Sequence, residues 1–497
     1  MLFNSYEFIF IFSPIFLITF FILCKFKFIK IALYWLIISS MLFYSFWNLF
    51  TPNGSTFYIL LIIISIVFNY YIAKLINSFD PPNKKSKIAL SFGITGNILI
   101  IIYYKYAAFF LSIFSFDNSN NFNLILPLGI SFYTFTQIAY LVDCYRGELK
   151  NKNYKLSTYT LFVIFFPQLI AGPILRHDEL IPQFSQLKKF RFHAPNFATG
   201  INLFCLGLTK KVLIADNLSP WVGDIFSHAE SVTFIESWIG ALAYTFQLYF
   251  DFSGYSDMAI GLGLMINITL PLNFNSPYKA VSISDFWRRW HITLSNFLRD
   301  YLYISMGGSR RGELRRYFNL LMTMLLGGLW HGAGWTFVLW GFLHGVYLSI
   351  NHWWRKLNIP LSNFLAWIIT FLGVIFSWVL FRASSLHDAL ILIQTMTGLN
   401  GLILPGEATG KLGFIQNFGI QLQSWSNFNY FPELFGSKIL TIFYLVVLIF
   451  SVKYLPNTSE IVKNVKIGWF YTLFLAITTT ISLLSLNRIS EFLYFQF

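Results

Sequence analysis

Charge is scarce in this chain. Asp, Glu, Lys and Arg make up 11% of its 497 residues, against about 25% in a soluble domain. That is too little to clothe a water-soluble globule of this length, so most soluble enzyme folds and disordered chains are excluded. Cysteine is scarce as well. Cys24, Cys144 and Cys205 sit in apolar stretches with no C-x-x-C spacing, which excludes a disulfide framework or a thiolate metal site. The sequence has no G-x-x-x-x-G-K-[ST] loop, no dinucleotide glycine fingerprint and no G-x-S-x-G elbow. Zinc-type His/Cys/Asp spacings are also missing, so no metal is expected.

What remains is apolar: 56% hydrophobic, 20% aromatic, mean hydropathy +0.61. This is the composition of an all-α polytopic membrane protein, whose surface meets lipid. The 35 basic and 21 acidic residues leave a net charge of +14. In a membrane protein that excess belongs to cytoplasmic loops and does not imply nucleic acid. The N-terminus has no positive leader region or small-residue cleavage site, and reads as the start of the first span.

Candidate spans run near 7–24, 31–50, 56–77, 88–116, 124–145, 156–175, 196–215, 233–265, 317–352, 361–381, 439–452 and 467–486. Basic residues assign their sides. Lys25, Lys27 and Lys30 put the N-terminus outside. Lys84, Lys85 and Lys87 fall inside, as do Arg146, Lys150, Lys152 and Lys155, while 51–55 and 117–123 fall outside. Alternation then fails. The segment 156–175 has basic loops on both sides and contains Pro167, Gly172 and Pro173. Broken backbone at membrane depth must line protein or a cavity, so this segment is expected to be re-entrant. The segment 317–352, between Arg315/Arg316 and Arg355/Lys356, reads as two helices meeting at a glycine-rich bend, 327–335. Residues 279–316 are expected to be cytoplasmic, 382–438 an external loop, and the C-terminus external. No internal repeat or soluble domain is evident; the chain reads as one domain.

Ionisable groups in apolar context are the chemical candidates. His177, His193, His228 and His387 lie in loops and read as solvated, and His352 reads as interfacial. His331 sits between Trp330 and Gly332, with Gly334 and Trp335 following. The glycines leave room for close approach to the ring, and the tryptophans exclude water. A histidine there can take and return a proton, or it can be a buried imidazole bonded to a carbonyl at the helix break. His344 reads as helix packing. His291 follows Asp285-Phe286-Trp287-Arg288-Arg289-Trp290. As a helix, this stretch would pair Asp285 with Arg288 or Arg289 and lie in the interface, with Trp287 and Trp290 at headgroup depth. Asp251 and Asp257 are six apart, on different helix faces unless Gly254 breaks the backbone. A bracing network is expected, with Tyr249 and Tyr255 able to satisfy the carboxylates. Gly307 to Gly312 reads as a surface turn that could receive a phosphate.

Several segments together carry a resemblance. They are Pro127–Phe135, Tyr140–Gly147, Pro167–Ile174, Asp251–Asp257, Asp285–Ser295 and Leu326–Ala333, with Met1–Ser5 and Phe381–Ser385. In this order, with the core motifs along 125–345, the chain resembles the membrane-bound O-acyltransferase superfamily, in particular its bacterial alginate O-acetylase-like group. The resemblance implies about 11 transmembrane helices plus re-entrant segments around a central tunnel, in a bacterial inner membrane. It places the family's invariant histidine at His331 and its second signature histidine at His291. It further implies acyl transfer from a cytoplasmic thioester, acetyl-coenzyme A or an acyl carrier protein, to an exported polysaccharide. A periplasmic SGNH-hydrolase-like acetyltransferase partner is implied too, and no bound cofactor. Asp285, Trp287, Arg288, Arg289, Trp330, Gly332 and Trp335 are the expected donor-site or tunnel residues. D-alanyl transfer to a cell-wall polymer and transport of a lipid-linked sugar are the rival functions.

Overall fold

In the computed structural model, the described residues are 2–50, 57–113, 126–150, 152–170, 172–186, 190–406, 416, 419–464, 468–486 and 493. The expected outer turns 51–55 and 117–123 and most of the C-terminal stretch lie outside them. The described chain is helical apart from a two-stranded parallel sheet, in which Leu402–Pro405 pairs with Ile420–Gln423. Six described helices are long and apolar enough to cross a membrane, or seven if the bent pair Lys438–Tyr454 and Thr458–Asn464 is one span. This is fewer than the eleven or so expected. Ile130–Tyr145 and Trp469–Leu484 have only 16 residues each. Phe234–Met265 has 32 but carries Glu236, Asp251 and Asp257.

The apolar helices from Glu7 to Ile113 turn large side chains such as Phe10, Ile18, Ile31, Leu60 and Phe92 outward. Their inner faces are joined by polar bonds. Asn69 and Asn97 exchange amide bonds of 3.1 and 2.6 Å, and Gln137 donates to Ser65 at 2.9 Å. Where lipid offers no partner, such bonds tie helices together.

The centre is the helix Phe234–Met265. It packs against Ala194–Thr209 by paired glycines seven residues apart on each helix. A Cβ on Gly200 would lie 2.6 Å from the Gly261 carbonyl, and one on Gly207 2.6 Å from that of Gly254. Small residues let the two backbones touch. Unbroken through Gly254, the central helix turns Asp251 and Asp257 to separate partners. Lys211 bonds both Asp251 and Asp216 at 2.7 Å, and Lys210 meets Asp257 at 2.5 Å. The expected bracing network is present, but lysines satisfy the carboxylates where tyrosines were expected. Tyr255 stacks on Phe3 at 4.6 Å instead.

Both interrupted segments begin and end on one face. The rings of Tyr154 and His177, either side of the segment 156–175, lie 6.1 Å apart. Helix Leu156–Ile164 ends at Phe165, the four-residue helix Phe166–Leu169 follows, and the chain turns back. Glu313–His331 and Trp335–Leu357 form an antiparallel hairpin whose open ends meet through Arg316 with His352 and Glu313 with Lys356. Other contacts join the segments grouped by charge. Lys150 pairs with Asp80 at 2.9 Å, Arg146 donates to the Asp300 carbonyl at 2.9 Å, and Asn457 donates to Asn275 at 3.1 Å. On the other face, Trp238 donates to the Met396 carbonyl and the Tyr430 amide to Glu236.

Two substitutions test this frame. Gly254→Val forces a branched side chain against a backbone where a Cβ already sits 2.7 Å from the Gly207 carbonyl; a loss of about 1–3 kcal/mol is expected. Lys211→Met strands two buried carboxylates, at about 3–5 kcal/mol. Both predict a lower melting temperature of the detergent-solubilised protein, and melting like the parent would refute them.

Candidate active site

A helix that stops inside the membrane exposes its last carbonyls. Glu313–His331 stops so, with His331 as its final residue and Gly332 in extended backbone. The return helix crosses very close: a Cβ on Gly328 would lie 2.3 Å from the Phe337 carbonyl, and one on Gly341 2.4 Å from that of Met324. This tight hairpin holds His331 at its apex, fifteen residues and about 22 Å along the helix from Arg316. The imidazole is 5% exposed and edge-on to Trp330 at 4.8 Å, Trp340 at 5.1 Å and Phe381 at 5.2 Å.

The surroundings differ from expectation in three respects. Gly332 does not leave space beside the ring, because the Phe337 ring occupies it at 2.2 Å from where a Cβ would be. Trp335 is 55% exposed and packs on Phe109 at 5.7 Å, not on His331. The second wall is Trp340, one helical turn beyond the bend. Trp330 is placed as expected, stacked on Phe135 at 5.3 Å and edge-on to Phe132 at 5.4 Å. The Pro127–Phe135 motif therefore ends against Trp330, the neighbour of the histidine.

A cavity of about 40 Å³ lies beside His331, lined in part by Lys105, Ile130, Ile170 and Trp330. It has room for a few waters. Lys105 donates to the carbonyls of Trp330 at 2.7 Å and His331 at 2.9 Å, and Tyr106 donates to that of Leu329. These two residues satisfy the helix end, and neither was among the expected site residues. The signal was available: Lys105 is the only Lys, Arg, Asp or Glu between Lys87 and Asp117.

His291 is not interfacial. The helix Ile283–Arg289 ends before it, Trp290 is extended, and His291 adopts left-handed backbone (φ 41°) ahead of Ile292–Phe297. Such a conformation costs on the order of 1 kcal/mol or more in a non-glycine residue. It is held by Asn273, whose Oδ1 lies 3.1 Å from the His291 Nδ1 and accepts from the Thr293 hydroxyl at 3.0 Å. The ring is fully buried, edge-on to Phe252 at 4.7 Å and 6.3 Å from Trp330. Trp330 thus touches both histidines. Trp287 and Trp290 are buried as well and are not headgroup anchors. Trp287 donates to His344 Nδ1 at 3.2 Å, and the other nitrogen of His344 meets the Ser377 hydroxyl at 3.0 Å. His344 is therefore a packed, bonded core histidine, as expected.

Asp285 pairs with Arg289 at 2.9 Å, and Arg289 also reaches the Asn275 carbonyl. Arg288 is exposed. These residues lie at the edge of the bundle, toward the basic face, and not beside His331.

One further cluster joins distant motifs. Both carboxylate oxygens of Asp143 lie 2.9 Å from the Tyr301 hydroxyl, and His177 approaches at 3.5 Å. Contrary to its reading as a solvated loop residue, His177 is 1% exposed, and burial pushes its imidazole down to about 4, so it is neutral near pH 7. Asp143, Glu148 and His177 present ligand atoms within 4.8 Å of one another, the one such set among the described residues. Arg176 already supplies the positive charge there, 2.8 Å from Glu148 and 3.7 Å from Asp143.

Comparison with known proteins agrees with this geometry. Residues 147–390 match the membrane-bound O-acyltransferase family. The chain is 41% identical to the peptidoglycan O-acetyltransferase of Helicobacter pylori, over 100% of this chain and 98% of that protein. It is 41% identical to the probable alginate O-acetylase AlgI of Pseudomonas aeruginosa, over 83% and 79%. The teichoic acid D-alanyltransferase of Bacillus subtilis is more distant, at 29% identity over 53% and 71%. Identity of 41% over nearly the full length, together with the family match and apolar helices around a buried histidine hairpin, places the chain in the membrane-bound O-acyltransferase family as a multi-pass membrane acyltransferase.

Proposed function

We propose that this enzyme moves an acetyl group from a cytoplasmic thioester across the bacterial inner membrane, for O-acetylation of an exported or cell-wall polysaccharide. The observation that carries the reading is His331 at the apex of the hairpin, deep in the bundle, dry on three aromatic sides and beside a cavity on the fourth. The names of the two 41% relatives support a polysaccharide acceptor and an acetyl group. The D-alanyl alternative rests on a relative of 29% identity that covers 53% of this chain, against 41% over 100% and 83%.

In this mechanism His331 is the general base. The acceptor hydroxyl gives its proton to the imidazole as its oxygen bonds to the thioester carbonyl carbon. The carbon–sulfur bond then breaks, and the departing thiolate takes the proton back from the imidazolium. Trp330, Trp340 and Phe381 keep competing water from the carbonyl. His291, on the opposite edge of Trp330, is the second functional histidine. The donor, acetyl-coenzyme A or an acylated carrier protein, approaches from the basic face. There Arg288 is exposed and Arg289 is held by Asp285, and a phosphate-bearing thioester suits such a surface. The segment 382–438 is the docking surface for a periplasmic partner, which supplies that acceptor hydroxyl and then passes the acetyl group on to a polysaccharide hydroxyl.

The first test is His331→Ala in cells lacking the native gene. Proton transfer by a positioned base contributes about 10²–10⁴-fold, so surface glycans should lose their O-acetyl esters by mass spectrometry while the variant remains in the membrane. Full acetylation would overturn the assignment. His291→Asn keeps a residue tolerant of left-handed backbone and should also lose acetylation. A second test is sidedness: Arg310→Cys should label only from the cytoplasm and Gly406→Cys only from outside. Labelling of both from one side would overturn the map.

A further inference from the structure

We propose that Lys105 is a positioning residue for acyl transfer, fixing the backbone at Trp330 and His331 and so setting the His331 imidazole against its cavity. This rests on the reading of His331 as the base.

The argument begins with where the lysine lies. It is partly buried within the apolar helix Lys84–Ile113, twenty-one residues from its start and eight from its end. An ammonium inside a membrane is costly and is found where it has a partner or a function. Its partners here are two consecutive carbonyls, at 2.7 and 2.9 Å, belonging to Trp330 and to the histidine itself. Those carbonyls carry the negative end of the helix dipole, which a cation stabilises. A structural cap alone needs no charge, and Tyr106 provides such a cap next door, at Leu329. The local backbone is also unusual. Lys105 lies on a π-helical turn, Ile102–Tyr106, and such turns recur at functional sites. The extra residue in that turn re-aims the side chain relative to a regular helix.

Geometry then links the bonds to chemistry. Lys105 and His331 line the same small cavity. The orientation of the imidazole follows from the backbone of His331, which has no further helical turn to hold it. Gly332 and Gly334 flank the bend, so the bonds on the carbonyl side fix the backbone while the aromatic walls pack the ring. Displacement of a catalytic group by an ångström can reduce the rate by about a hundredfold.

The test uses the full-length protein in cells lacking the native gene, with each variant at matched membrane level. The rate of labelled acetyl incorporation into surface glycan is measured, and the melting temperature of each solubilised variant is recorded. Lys105→Met removes both bonds and should lower the rate about tenfold or more. Lys105→Arg keeps the donors and the charge and should restore most of the rate, a rescue that loss of packing would not give. A Lys105→Met variant as fast as the parent overturns the proposal. So does a pair of Met and Arg variants that are equally slow, or that lose rate only in step with melting temperature. If Lys105→Met does not accumulate, the Arg variant decides: well folded but below a tenth of the parental rate, it overturns the proposal. His331→Ala is run beside them. An active His331→Ala sinks the base assignment itself, whereas an inactive one beside a fully active Lys105→Met sinks only the role of Lys105.

Discussion

Backbone that stops being helical at membrane depth must find hydrogen-bond partners without water, and much of this structure answers that constraint. The apex of the hairpin is capped from the helix Lys84–Ile113 by Lys105 and Tyr106. The broken segment 156–170 is satisfied by side chains. From outside the segment the Ser40 hydroxyl accepts from the Phe166 amide at 3.2 Å, and from within it Gln168 turns back to donate to the Phe162 carbonyl at 2.5 Å. At the exit of the turn, the Ile174 amide donates to Thr293 at 2.9 Å. That same threonine donates to Asn273, which faces His291. The re-entrant turn and the His291 loop are therefore parts of one bonded unit.

Around that unit, two kinds of packing define the frame. Glycine pairs bring helices into backbone contact, at Gly200/Gly261, Gly207/Gly254 and Gly328/Gly341. Lys211, buried, and Lys210, partly buried, neutralise Asp251 and Asp257 of the central helix. Lys210 and Lys211 begin a π-helical turn, as Lys105 lies within one. In each case the wider, underwound turn carries a cation that finds its partners on another element. Aromatic rings then fill the remainder, with Trp330 as the common neighbour of Phe132, Phe135, His291 and His331. Residues from three separate sequence motifs, its own included, meet at this one indole.

The sequence by itself determined the membrane class, because charge too sparse for water is a property of composition. It also determined both interrupted segments, because basic flanks on each side and Pro or Gly at depth are local signals. The buried histidine at the bend was legible for the same reason. What needed the tertiary structure was every partner distant along the chain. Lys105 and His331 are 226 residues apart, and no spacing rule links them. The lysines that meet Asp251 and Asp257 lie on another helix, so nearby tyrosines looked like the answer. Trp335 seemed to wall the histidine by adjacency, yet the hairpin turns it outward and brings Trp340 into its place. His291 looked interfacial because its helix was read as continuous; Asn273, eighteen residues earlier, holds the left-handed turn that buries it. Local sequence sets which segments enter the membrane and where they break. Which side chains close those breaks depends on helices meeting across the bundle, and only the folded chain decides that.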